Sequence, residues 1–389
     1  MRIRRTAWAL AASLVCVPAV VVAQAAEVAP GAAMQTFPPL DGVPLDEIPL
    51  EAFAQGCSQG VPGTVTLPDG SRKDVMVTAG HCLWGLEGSG MGEMAPEVYA
   101  PLREGNRLIA VRDQGRPVHP ALDETDPEEL RLMYDGDDWA TADIVEGVGM
   151  TRLAASESSL GFDLMPLGEP VALTGVRDYP DLDPWEISFD NAGRPICSEG
   201  QTTGRTCGVQ VLRSSNGLWS VGFMLPGDSG GVSFDPLTGE ALGVNSMSVY
   251  GLINRAQPLD VAIEKAYGIP DGQVSERFAL PDSTEEHAPM RSYDEDQAVV
   301  QEWAQDVVAE ELPTEQEARE IVQANVGVAA GEIGALAESS VAQVREDPTN
   351  LSAIADDAAD TADRLAALAE DTVGAVVGAG LGAALRERQ

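Results

Sequence analysis

Two short segments hold the residue types that nucleophilic chemistry needs. Thr78-Ala79-Gly80-His81-Cys82 follows the apolar run Val75-Met76-Val77, and Pro226-Gly227-Asp228-Ser229-Gly230-Gly231 lies far downstream. A serine hydroxyl is a poor nucleophile until a base takes its proton, and an imidazole titrating near neutrality suits that task. The chain has 3 histidines. His119 sits between Pro117 and Pro120 and His287 lies in an acidic stretch, which leaves His81 as the natural base. Glycines around Ser229 let the backbone turn sharply, so that the N–H groups of Gly227 and Ser229 face one point. There they stabilise the oxyanion of a tetrahedral intermediate, by roughly 3 kcal/mol per donor. A third group must hold the His81 tautomer and stabilise its imidazolium. Asp137, Asp138 and Asp143 all lie in one segment whose strand-like run reaches Ile144.

The elements that must position these residues read as all-β. From about Ala52 to Ile269, short runs rich in Val, Ile and Thr alternate with Gly, Pro and Asp clusters. Gly63 to Leu67, Val75 to Ala79, Arg107 to Val111, Cys207 to Leu212 and Leu242 to Ser246 are expected strands. One helix closes the region over Leu259 to Tyr267, with Pro258 at its start and Gly268 just past its end.

The His81 and Ser229 motifs together resemble the chymotrypsin-like serine proteases. Asp138-Trp139-Ala140 is similar to the family's Asp-x-Ala signature, which selects Asp138 from the three candidate acids. The order His, Asp, Ser differs from the subtilisin and α/β-hydrolase orders. The segment from Cys197 through Thr206, Cys207 and Gly208, and the helix ending at Gly268-Ile269, look like the bacterial streptogrisin branch. The resemblance covers residues 52–269 and implies two antiparallel β-barrels with the catalytic triad at their junction. It also implies disulfides Cys57–Cys82 and Cys197–Cys207. The primary substrate pocket would have Phe223 at its base and Ser246-Met247-Ser248 as a wall. With no acid at the base, small or medium apolar residues are expected before the scissile bond. Ser198 stands where streptogrisins usually have an arginine that pairs with the aspartate before the nucleophile. Arg194 and Arg205 are the candidate partners of Asp228.

Outside that span the composition changes. Arg2, Arg4 and Arg5, the apolar stretch Ala7 to Ala23 and Ala23-Gln24-Ala25 read as a cleavable signal peptide over residues 1–25, hence an exported, extracellular protein. Cleavage removes Cys16 and leaves Cys57, Cys82, Cys197 and Cys207, an even set that suits two disulfides in an exported chain. Residues 26–51 repeat Pro-Leu-Asp or Pro-Leu-Glu at Pro39, Pro44 and Pro49. They are expected to be a spacer, with a short pro-segment or a strap as alternatives. Residues 270–389 hold half of the net charge of −38 and read as an acidic, helical extension. Val299, Val300, Trp303, Val307 and Val308 mark one apolar face. Ile354, Ala358, Thr361, Leu365 and Leu368 mark another. These helices are expected to pack on one another, on the barrels, or on an unknown protein.

Several function classes are excluded. So acidic a chain lacks the Lys and Arg clusters that nucleic-acid binding needs. The apolar run Val373 to Leu385, with Gly374, Gly378 and Gly382 at four-residue spacing, is too short to span a bilayer, which argues against membrane association. No Cys/His cluster has metal-ligand spacing, so neither metal nor cofactor is expected. Asp294-Glu295-Asp296 reads as solvated surface and matches no EF-hand pattern. The expectation is therefore a secreted serine endopeptidase acting on proteins or peptides through an acyl-enzyme. The alternative is a catalytically idle protease homologue that serves as a binding protein.

Overall fold

The computed structural model describes residues 25–45, 48–86, 94–118, 127–156, 169–304, 315–346 and 351–386. The expected signal peptide, up to residue 24, His119, and Val307 with Val308 lie outside them.

The first barrel is built from seven strands: β1 (Ala33–Thr36), β2 (Gln55–Ser58), β3 (Val61–Thr66), β4 (Arg72–Thr78), β5 (Glu97–Leu102), β6 (Gly105–Gly115) and β7 (Ala140–Ile144). Valines at 61, 65, 75 and 77 have no exposed surface, and Val61 faces Val77 across the β3–β4 ladder. Beta-branched side chains of this kind suit a pleated, buried face. Helix α1 (Gly80–Trp84) follows β4, and α2 (Pro127–Asp135) precedes β7. The strands pair in the order β3-β4-β7-β6-β5-β1-β2. Only Gln59 and Gly60 separate β2 from β3, so the chain itself joins the two ends of this order. The bend needs glycine, because a Cβ at Gly60 would stand 1.8 Å from the Val77 carbonyl oxygen.

A ribbon of β8 (Leu153–Ala154) and β9 (Val171–Ala172) leads to the second barrel. Its strands are β10 (Gly175–Val176), β11 (Pro195–Gly200), β12 (Gly204–Arg213), β13 (Leu218–Val221), β14 (Val232–Phe234), β15 (Glu240–Val249) and β16 (Ile253–Pro258). The order β15-β14-β11-β12-β13-β16, with β15 paired to β16, is a closed six-stranded barrel, and β10 adds in parallel outside β15. Helix α3 (Leu259–Tyr267) ends at Gly268, whose left-handed φ of 64° lets its N–H reach the Glu264 carbonyl. One core joins Val65, Val75 and Val77 of the first barrel to Phe234, Val244, Leu259 and Ile263 of the second. The expected all-β class, two-barrel plan and closing helix are all present, and each expected strand falls within or overlaps an observed one.

The first barrel takes in chain on both sides of residues 52–269. Residues 26–37, expected to be a spacer, a short pro-segment or a strap, lie within it. Val28, Ala29, Ala32 and Met34 are buried, and β1 pairs with β2 on one side and β5 on the other. Small alanines let this backbone sink into the first barrel, where its donors and acceptors join the ladder. Beyond Ile269 come α4 (Val274–Arg277) and β17 (Phe278–Ala279), which pairs with β3. Met290 then bridges to Leu102 and packs in the first core. The first barrel thus takes its outer wall from residues downstream of the second.

The acidic extension is helical as expected: α5 (Tyr293–Ala304), α6 (Glu315–Glu346) and α7 (Leu351–Arg386). Helices α6 and α7 run antiparallel, tied by Asn325 Nδ2 donating to Thr372 Oγ1 (3.0 Å) and by Arg364 to Glu332 (2.9 Å). Thr361 and Leu365 of the expected stripe are buried. In α5, by contrast, Val299 is exposed, and the buried side chains are Asp296 and Gln301. Among the described residues no helix is long and apolar enough to cross a membrane.

Candidate active site

His81 enters the site because Thr78 ends β4 and α1 begins immediately after Ala79. Asp138 stands two residues before β7, which pairs with β4 through Thr78 and Ala140. The carboxylate faces the imidazole, with His81 Nδ1 lying 3.0 Å from Asp138 Oδ2 and 3.1 Å from Oδ1. The His81 backbone N–H also donates to Oδ1 at 2.9 Å. Ser246 Oγ donates to Oδ2 at 2.6 Å, and the Asp138 N–H donates to Gln257 Oε1 at 3.1 Å.

The other candidate acids face elsewhere. Asp137 pairs with Arg116 and Lys265, and Asp143 pairs with Lys73. Arg255, which is buried, donates to the carbonyls of Gly136 and Asn216 and so fixes the chain just before Asp138.

Burial and charge act together on the pair. Burial disfavours both charged forms, but the neighbouring opposite charge prevails. It holds Asp138 down at about 2 and raises His81 above its ordinary 6.5. The carboxylate therefore stays ionised and orients the imidazole.

Ser229 comes from the second barrel, in the loop between β13 and β14, and the first barrel grips this loop directly. The Ser58 N–H donates to the Ser229 carbonyl at 2.7 Å, and Ser58 Oγ donates to the Gly227 carbonyl at 2.7 Å. A Cβ at Gly230 would stand 3.4 Å from Cys82 Sγ, so the loop lies against the residue next to His81. Gly227 has φ of +96°, and a Cβ there would strike Thr202 Oγ1 at 2.2 Å, so glycine is required. Among the described residues the Ser229 hydroxyl has no hydrogen-bond partner, and neither the Gly227 nor the Ser229 N–H is taken by a backbone carbonyl. Nucleophile–base bonds are commonly long before substrate binds.

Asp228 takes neither expected arginine. Its Oδ1 accepts the N–H groups of Thr202 and Thr203 (3.0 and 2.9 Å), and its Oδ2 accepts Thr203 Oγ1 and the Leu225 N–H (2.8 and 2.9 Å). Arg205 is instead bound to Glu199 at 2.7 Å. Burial without a cation raises Asp228 to about 6 despite these bonds.

The expected pocket residues divide. Ser246 is not free to line a wall with its side chain, because β15 turns it inward to Asp138. Ser248 Oγ donates to Asn254 Oδ1 at 2.7 Å across the β15–β16 ladder. Phe223 is half-buried above the β15–β16 turn, where a Cβ at Gly251 would lie 3.7 Å from its Cε2. The disulfides are Cys57–Cys82, beside His81, and Cys197–Cys207, across the β11–β12 ladder. Sequence reasoning gave Ser58, Thr203 and Gln257 no role, although Thr203 lies in the segment between Cys197 and Cys207 and Gln257 directly precedes Pro258, because their partners stand far away in the chain.

No protein-family profile matches the sequence, and no curated protein does. Among solved structures the chain is similar to Thermobifida fusca protease A at 17% identity and a TM-score of 0.38, over 65% of this chain and 99% of that one. It is similar to Nocardiopsis protease at 18% identity and 0.36, over 61% and 96%. It is also similar to Cellulomonas bogoriensis chymotrypsin at 18% identity and 0.36, over 66% and 99%.

Proposed function

We propose that this chain is an exported serine endopeptidase that cleaves peptide bonds through an acyl-enzyme. The observation that supports it most is the joining of a buried, ionised Asp138 to His81 Nδ1, with the Ser229 loop held against the same barrel by Ser58. In this reading Ser229 Oγ attacks the scissile carbonyl while His81 Nε2 takes its proton. The Gly227 and Ser229 N–H groups stabilise the oxyanion. His81 then returns the proton to the leaving amine, and water repeats the sequence to release the acyl group. Asp138 remains a carboxylate throughout and stabilises the imidazolium. No cofactor takes part. Phe223, Met247 and Ser248, with the backbone of Ser246, contact the residue before the scissile bond, and small or medium apolar side chains fit there.

The test is labelling of the purified protein with a fluorophosphonate, read by peptide mass spectrometry. Adduct on the Ser229 peptide, absent in Ser229→Ala, is the expected result. A folded, disulfide-intact protein that takes no label and cleaves no peptide would instead be an idle homologue that binds a partner.

A further inference from the structure

Away from the triad, three carboxylates converge where α3 ends. Asp178 follows β10, Glu264 lies in the last turn of α3, and Asp271 lies in the turn that leads to α4. One oxygen of each falls within 4.8 Å of the other two. Oxygens within that limit are near enough to share one calcium ion, which stands about 2.3–2.6 Å from its ligands.

No cation meets the cluster among the described residues, and its hydrogen bonds come from two backbone donors, Val274 N–H to Asp178 and Asp181 N–H to Asp271 (3.0 and 3.4 Å). Glu264 is 8% exposed, yet its carboxylate has no hydrogen-bond partner among the described residues, and its Oε1 is fully enclosed. Asp178 Oδ2 accepts the Val274 N–H at 3.0 Å, while its Oδ1 is enclosed and unpartnered. Asp271 is exposed and leaves one side of the cluster open to solvent. None of the three is in an ion pair among the described residues, although Lys265 is adjacent in sequence and binds Asp137 instead. The last turn of a helix presents the negative end of its dipole, which makes anions there less stable and cations more so.

A buried, unpaired carboxylate is costly unless something positive meets it. We propose that Asp178, Glu264 and Asp271 bind a calcium ion. All the donors are oxygens, which suits a hard cation, and calcium accepts irregular oxygen sets, whereas magnesium demands near-octahedral geometry and gives up its waters reluctantly. The ion fastens the strand before Asp178 to the end of α3 and to the turn before α4. It thereby locks the second barrel to the segment that runs on to β17. The proposal stands apart from the protease reading and survives its failure.

The test uses the full chain stripped of divalent ions by a chelator and then titrated with calcium chloride, with thermal unfolding as the readout. Calcium a hundredfold above its Kd is expected to raise Tm by about 5 °C. In Glu264→Gln and Asp178→Asn the rise is lost, while the calcium-free Tm of Glu264→Gln stays level, since the amide keeps the size of the side chain it replaces. Magnesium at the same concentration gives a smaller rise. Absence of any calcium response, or a response that both variants retain, overturns the site, and a magnesium response as large as that of calcium overturns the assignment. Should the buried variants fail to fold, the exposed Asp271→Asn gives the same comparison.

Discussion

Asp138 Oδ2 is shared: His81 Nδ1 lies 3.0 Å from it and Ser246 Oγ 2.6 Å. The hydroxyl and the imidazole thus fix the carboxylate from two sides, one from each barrel. Ser246→Ala removes a hydrogen bond to a charged group, a contact of about 1.5–3 kcal/mol. The expected result is a fall of about tenfold in kcat with little change in KM. Ser246→Thr should restore part of the loss, which a purely structural role would not predict.

The acid limb of activity reports His81. Because Asp138 raises its pKa, kcat/KM is expected to fall as pH drops through a value above 6.5. Asp138→Asn leaves burial without its counter-charge, so the limb moves to lower pH while kcat falls by about 10⁴. A pH–rate profile of both proteins checks this.

The segment before Cys57 belongs to the barrel. A chain that begins at Ala52 loses β1 and the fully buried Met34, a side chain whose burial alone contributes roughly 1.5–3 kcal/mol. It also exposes the ladder edges of β2 and β5. Such a truncation is expected to fail to fold, as circular dichroism would show. Were the segment only a spacer, the protein would keep its spectrum and its activity.

Stability should depend on pH through Asp260, which is fully buried in the first turn of α3. Burial outweighs the bonds from the Tyr179 and Val261 N–H groups and raises it to about 7 from an ordinary 3.8. The native state therefore binds this proton more tightly than the unfolded chain does. The contribution is complete below pH 3.8 and is lost as pH rises through about 7. The slope reaches up to about 1.4 kcal/mol per pH unit. Asp260→Asn should flatten that decline in urea titrations performed with a chelator present.

What could be read from sequence was whatever lay in a few consecutive residues. The His81 and Ser229 loops announced themselves because strand end, glycine and functional group stand side by side. Helix α3 did so through Pro258 and Gly268. Ser246 did not, since its partner Asp138 lies 108 positions away and only the inward turn of β15 brings the two together. Asp228 misled because an arginine was sought where Thr202 and Thr203 supply N–H donors, and backbone donors leave no mark on composition. In α5 the valines suggested an inward face. Asp296 is turned in instead, since Arg291 and Gln35 both donate to its carboxylate. The proline repeats hid β1, because its four residues have no alternation strong enough to stand out beside them.

Strand β17 and Met290 complete the first barrel, although the chain reaches them only after the second barrel has been laid down. Synthesis is vectorial, from the N-terminal side onward. When Ser229 emerges, the half that carries His81 and Asp138 still lacks its last wall, and that wall arrives some fifty residues later, by which time α3 has also been made. Assembly of the site is thereby deferred until nearly all of the two-barrel region has been made. A chain arrested before residue 278 would contain every residue of the proposed triad and yet lack the strand that lies against β3 in the barrel meant to hold two of them.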